Sequence, residues 1–200
     1  MQTLLIATTN QHKFTEFTAL LNDLPFKLVS LSDVGISDDV EETGETFKAN
    51  AELKAEAYSQ RSGLLTLADD SGLEIAALNG APGVYSARYG GVTGAEQLAL
   101  VLKQLEGLPF HERMARFVCV IAIAEPGKAL QFVEGTVPGA IETAPKGTHG
   151  FGYDPIFYLL DRGVTMAELP PEEKNRISHR AQAVKKARAV LLEIAANSNA

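Results

Sequence analysis

In the first 70 residues, short apolar runs alternate with stretches whose apolar side chains recur at helical spacing. Residues 4–8 read as a buried strand. Residues 13–21 follow as an amphipathic helix, with Phe14, Phe17, Leu20 and Leu21 on one face. A second strand is expected at 26–31. Thr43 and Glu45-Thr46 offer helix-start chemistry for a long helix to about Arg61, closed by Gly63. A third apolar run, 64–68, stops abruptly at Asp69-Asp70-Ser71-Gly72. Such alternation predicts an α/β fold.

The rest of the chain changes character. A helix is expected over 95–105, and strands over 116–124 and 130–137 flank the turn Glu125-Pro126-Gly127 as a hairpin. Residues 84–89, between glycine-rich turns, are expected to be an exposed loop. Residues 147–154 form a glycine-rich loop, 155–158 a short strand, and 178–196 a closing helix. A strand pair beside alternating units predicts a mixed sheet. No linker, repeat or low-complexity segment divides the chain, so residues 1–200 read as one folding unit, with room for a cleft between two lobes.

Composition narrows the partners. With a net charge of −7, duplex nucleic acid is a poor first expectation, although local basic groups leave a small polyanion open. The single cysteine, Cys119, lies in an apolar run and reads as a packed core thiol in a reducing compartment. The N-terminus lacks the form of a signal peptide, and no apolar run reaches the roughly 18–20 residues of a membrane span. A soluble, cytoplasmic protein without membrane partners is expected.

Four segments carry candidate chemistry. At Asp69-Asp70, neighbouring strand residues point to opposite faces, so one carboxylate can face the core and the other a cleft. With the acidic cluster Asp38, Asp39, Glu41 and Glu42, they offer oxygen donors for a hard divalent ion such as magnesium. A plain strand-end turn is the competing reading. Thr8-Thr9-Asn10-Gln11-His12-Lys13 sits where a strand hands over to a helix, which suits a phosphate or simple capping by Thr or Asn. Spacing alone does not decide whether Lys48 or Lys54 faces a site, and Phe47 and Asn50 read as structural.

In Gly147-Thr148-His149-Gly150-Phe151-Gly152-Tyr153-Asp154-Pro155, glycines flank an aromatic ring. Phe151 can stack on a flat ligand or tuck into the core, and Asp154 can accept from a base edge. Lys174, Arg176, His179, Arg180, Lys185, Lys186 and Arg188 put seven basic or imidazole groups within fifteen residues. His179 and Arg180, in a first helical turn, oppose the helix dipole and so point to a partner.

Taken together and in order, several segments resemble the non-canonical purine nucleoside triphosphate pyrophosphatases, the Ham1-like family. They are Ala7 to Lys13, Glu41 to Gly44, Asn50 to Ala55, Ala68 to Leu73, Gly80 to Tyr89, Gly150 to Pro155 and Ile177 to Arg180. The resemblance implies an elongated mixed β-sheet flanked by helices, two lobes around a central cleft, and a homodimer. It implies magnesium-dependent hydrolysis of inosine, deoxyinosine and xanthosine triphosphates to the monophosphate and pyrophosphate, cleansing the nucleotide pool. It makes Asp70 the proton acceptor and, with Glu41, a metal ligand. Thr8, Thr9, Asn10, Gln11, His12, Lys13, Lys54 and Ser71 would hold phosphates and sugar. Phe151 would stack on the purine, Gly152, Tyr153 and Asp154 would line it, and Lys174, His179 and Arg180 would complete the base end. Thr9 and His149 depart from the small residues common at those places.

Overall fold

The computed structural model describes residues 1–197. Seven strands form one sheet: β1 (Gln2–Ile6), β2 (Phe26–Ser30), β3 (Leu65–Ile75), β4 (Met114–Ala124), β5 (Gln131–Ile141), β6 (Phe157–Leu159) and β7 (Val164–Thr165), in the order β2-β1-β3-β4-β5-β6-β7. β1 pairs parallel with both β2 and β3, placing Leu4 opposite Leu28 and Leu65. β6 pairs antiparallel with β5 and β7. The sheet is therefore mixed, as expected. Five helices accompany it: α1 (Gln11–Leu21), α2 (Phe47–Ser62), α3 (Ala95–Gln104), α4 (Pro171–Ile177) and α5 (His179–Asn197).

The chain gathers into two compact units. The first comprises Met1–Asp70, Cys119–Gly135 and the chain from Arg180. Its core packs Leu4, Ile6, Phe17, Leu21, Leu65 and Leu67 with Ile121, Val184, Leu191 and Ile194. The second comprises Ser71–Val118 and Thr136–His179, cored by Leu73, Ile75, Val101, Phe117, Ile156, Phe157 and Met166. Each unit is built from interleaved segments, so no linker-like stretch marks the boundary.

Three local expectations change. β3 does not end at the carboxylates but runs on through Asp69, Asp70, Ser71 and Gly72 to Ile75, because both carboxylates find buried partners within the protein. The segment 84–89 is not wholly an exposed loop. Ser86 is buried, and its carbonyl accepts from Gln97 Nε2 at 2.9 Å and Tyr153 Oη at 3.0 Å. α4 was not anticipated, being short and lacking an apolar stripe.

Candidate active site

Asp69 and Asp70 are both buried, 2% and 5% exposed, and alternation along β3 sends them to different partners. Asp70 meets α2. That helix starts at Thr46, whose side chain accepts from the Ala49 N–H, and ends at Gly63 in the left-handed conformation, φ 68°. Its buried stripe, Phe47, Asn50, Ala51, Lys54, Ala55 and Tyr58, follows helical spacing and carries two polar residues one turn apart. Asn50 Nδ2 donates to Asp70 Oδ2 at 3.0 Å, and Lys54 Nζ lies 3.6 Å from Asp70 Oδ1. Lys54 Nζ also donates to Glu42 Oε1 at 2.5 Å, and the Gly44 N–H donates to Asn50 Oδ1 at 2.8 Å. One face of α2 thus grips both a strand carboxylate and the acidic loop.

Burial pushes the Asp70 carboxyl above the usual carboxylate range, against the opposing pull of Lys54 and Lys13. Burial by itself would lower Lys54, but Asp70, Asp69 and Glu42 outweigh it and hold the ammonium more firmly protonated. Glu41, the loop carboxylate singled out in the sequence, is exposed; its neighbour Glu42 is the one bound to Lys54. Lys48 lies outside this cluster, exposed, with its ammonium 4.5 Å from the Phe132 ring centroid.

Asp69 faces α1 and α5. Lys13 Nζ donates to its Oδ2 at 3.0 Å, and Arg180 Nη2 lies 3.7 Å from the same oxygen. Arg180 Nη1 donates to Glu16 Oε2 at 2.5 Å. Burial would raise Asp69, yet Lys13, Arg180 and Lys54 prevail and hold it well below the usual carboxylate range. Its Oδ1 is buried without a hydrogen-bond partner among the described residues. Cys119 is fully buried with Sγ 3.8 Å from Asp69 Oδ2, and burial pushes its thiol far up, consistent with the inert core thiol expected.

The Thr8–Lys13 segment caps α1. Asn10 is the N-cap, its Oδ1 accepting from the His12 and Lys13 N–H groups at 2.9 and 3.2 Å, while Thr8 Oγ1 accepts from the Asn10 N–H at 3.2 Å. Thr9, Asn10, Gln11 and His12 are exposed, and Lys13 is half-buried. The capping reading holds. It leaves a helix N-terminus with an exposed polar rim.

The second unit carries the other group. Asp154 is buried, and its Oδ2 accepts from the Phe151 N–H at 2.8 Å and from Lys174 Nζ at 2.5 Å. Lys174 Nζ sits 4.6 Å from the Phe151 ring centroid, a cation–π contact. The half-buried Phe151 is therefore a loop aromatic held by Asp154 and Lys174. Gly150 has φ 74°, and a Cβ there would strike the Asp154 carboxylate, so this turn needs glycine. Gly152 is exposed, and the Tyr153 ring is buried with its hydroxyl directed to Ser86. The His179 ring stacks on Phe117, 4.6 Å between centroids and 17° from parallel. Of the predicted residues, Lys13, Lys54, Asp70 and Arg180 belong to the first unit. Ser71, Phe151, Asp154, Lys174 and His179 belong to the second. Asn50, read from the sequence as structural, is a polar member of the first cluster, and Glu42 and Asp69, read there only as oxygen donors for a metal, are bound to Lys54 and Lys13.

Residues 4–190 match the Ham1 family. The chain is 52% identical over 188 residues to a dITP/XTP pyrophosphatase of Geobacillus kaustophilus, covering 93% of this chain and 92% of that protein. It is 49% identical over 193 residues to the dITP/XTP pyrophosphatase of Bacillus licheniformis, covering 96% and 98%. Among solved structures, a HAM1 protein from Coxiella burnetii superposes with a TM-score of 0.88 at 46% identity, covering 96% of this chain and all of that one.

Proposed function

The chain belongs to the Ham1 family, and from that membership we propose that it hydrolyses non-canonical purine nucleoside triphosphates, dITP and XTP among them, to the monophosphate and pyrophosphate. The observation that carries the site assignment is Asp70: a buried strand carboxylate of raised proton affinity, with an ammonium 3.6 Å away.

Water attacking the α-phosphorus must lose a proton as the new P–O bond forms and pyrophosphate departs. A carboxylate more basic than usual is better matched to that proton transfer near neutral pH. Lys54 and Lys13 supply positive charge for the phosphate oxygens, and the N-terminus of α1, with Thr8, Thr9, Asn10, Gln11 and His12 around it, favours an anion. Ser71, next to Asp70 in sequence, adds a hydroxyl. In the second unit, Phe151 offers a face on which a purine can stack, with Gly152, Tyr153 and Asp154 beside it in the loop. By the family resemblance Lys174, His179 and Arg180 complete the base end, with His179 and Arg180 as donors to the purine 6-oxygen. Adenine would set its amino group against those donors, and a site built around such hydrogen bonds rejects a mismatch by as much as ~10⁴-fold. Arg180 enters this reading buried, with Nη1 donating to Glu16 and Nη2 3.7 Å from Asp69 Oδ2.

Among the described residues no group of three or more His, Cys, Asp or Glu side chains gathers as a metal site. Magnesium does not require one, being commonly held through one or two carboxylates together with substrate phosphates. The hard, oxygen-only donors of Asp70 and the acidic loop suit that habit. Asp70 and Glu41 would hold the ion, which when bound neutralises phosphate charge. The family resemblance also carries a homodimer and a cytoplasmic location, to be checked by light scattering and cell fractionation. Among the described residues no helix is long and apolar enough to cross a membrane.

Steady-state rates on dITP, XTP, dGTP and dATP, with and without magnesium, test the reading by product. Magnesium-dependent pyrophosphate release, fast on the first two and slow on the others, is expected. Orthophosphate alone would make the protein a phosphatase, and saturable binding without turnover would make it a nucleotide-binding protein.

A further inference from the structure

We propose that Asn50 is a positioning residue, a single buried side-chain amide that fixes the Asp70 carboxylate with its nitrogen and fastens the acidic loop with its oxygen. The inference rests on Asp70 being the base of the proposed reaction. Asn50 is 0% exposed on the inward stripe of α2, where an amide without partners would be costly. Its two ends are used in opposite directions. Nδ2 donates to Asp70 Oδ2 at 3.0 Å, and Oδ1 accepts from the Gly44 N–H at 2.8 Å.

Lys54, one turn along, repeats the pattern with charge, lying 3.6 Å from Asp70 Oδ1 and 2.5 Å from Glu42 Oε1. One Asp70 oxygen is therefore hydrogen-bonded by Asn50 and the other ion-paired with Lys54, both side chains from one helix, and both also hold the loop. The carboxylate cannot rotate about its terminal bond without losing the Asn50 hydrogen bond, which is how a base is kept aimed. Gly44 completes the clamp. A Cβ there would lie 2.7 Å from Asn50 Oδ1 and 2.7 Å from Ala49 Cβ, so the loop reaches Asn50 only because this residue has no side chain.

Three variants separate the functions of the amide. Asn50→Asp keeps an acceptor for Gly44 and removes the donor to Asp70. Asn50→Ala removes both. Gly44→Ala leaves Asn50 intact and pushes the loop away. With dITP, Asn50→Asp and Asn50→Ala are expected to lower kcat about 100-fold, within the range general-base catalysis supplies, while KM stays within about three-fold. Gly44→Ala is expected to lower kcat at least ten-fold with the same split, and combined with Asn50→Ala to add little, since both break one clamp. Circular dichroism melts on each variant establish that it is folded. Should the Asn50 variants fail to fold, Gly44→Ala alone decides.

A kcat within three-fold of the parent in a folded Asn50→Asp or Gly44→Ala protein overturns the inference, as does a loss appearing mainly in KM. Asp70→Asn is run beside them. Parent-like turnover in that variant would remove the base assignment itself. An inactive Asp70→Asn beside active Asn50 variants would sink only the positioning role.

Discussion

Asp69 and Asp70 are neighbours in one strand, yet their surroundings drive their proton affinities in opposite directions. Two cations lie within 4 Å of Asp69, Lys13 at 3.0 Å and Arg180 at 3.7 Å, and its ionised form is favoured despite complete burial. Asp70 has one ammonium at 3.6 Å and a neutral amide, with the Glu42 charge nearby working against it, and burial wins. The consequences for stability have opposite signs. Asp69, lowered from an ordinary value of 3.8, contributes stability above that pH and loses it as pH falls through the folded value. Asp70, raised from the same value, favours folding only in acid, a contribution lost as pH rises through its folded value. In metal-free buffer at pH 7, Asp69→Asn is therefore expected to destabilise by about 3 kcal/mol, the scale of breaking a buried ion pair. Asp70→Asn is expected to raise the melting temperature while abolishing turnover. Urea titrations of both variants check the pair of signs; two shifts in the same direction would contradict the electrostatic account. The sequence reading found this pair through strand alternation but expected only one of the two to face inward. Nothing in the order Asp-Asp reveals that Lys13, Arg180, Asn50 and Lys54 converge on it from three other segments. The sequence likewise names Glu41 and Glu42 together in the acidic loop without showing that Glu42 is the one that pairs with Lys54. Which of two adjacent glutamates turns toward Lys54 is settled by a loop conformation that no periodicity encodes.

At the scale of elements, the ends of α2 were legible because capping is local chemistry: Thr46 and Gly63 do there what their residue types suggest. Its inner face was not. Asn50 in a helix stripe reads as structural until the strand beside it is known to present a carboxylate. The Phe151 loop shows the complementary case. Its glycines announce a tight turn, but where the ring goes depends on Asp154 in the same loop and the distant Lys174, whose pairing leaves Phe151 half-buried under an ammonium. A ring so held adds a stacking face without adding charge. Phe151→Ala is accordingly expected to weaken dITP binding roughly ten-fold, in the range of a base–aromatic stack. Binding of inorganic triphosphate should stay within two-fold. Calorimetric titration of the Asp70→Asn protein, with and without the Phe151 substitution, measures both without turnover. Equal losses for the two ligands would mean that the ring does not meet the base.

For the whole molecule, the α/β class and mixed sheet were legible because alternating strand and helix patterns leave few ways to pair parallel strands. Two lobes were open to the sequence, but not which segments make each unit, since each is assembled from stretches that interleave along the chain and share no compositional boundary. That interleaving has a mechanical consequence. The first unit is completed only by the last stretch of sequence, where α5 delivers Ala183, Val184, Ala187, Leu191 and Ile194 to its core and Arg180 to Asp69. Burying Val184, Leu191 and Ile194 alone is worth about 1.5–3 kcal/mol each. Their sum rivals the entire net stability of a typical domain, about 5–15 kcal/mol. Losing Arg180 as well strips Asp69 of one of its two nearby cations. A chain ending at His179 is thus expected to lack cooperative thermal unfolding and to expose apolar surface to a hydrophobic dye, although residues Met1–Asp70 and Cys119–Gly135 are all present. Adding α5 back as a separate peptide should restore a cooperative melt, because what is missing is a buried face rather than a covalent link. A truncated chain that melted cooperatively near the parent temperature would show that the first unit's core does not depend on its final segment.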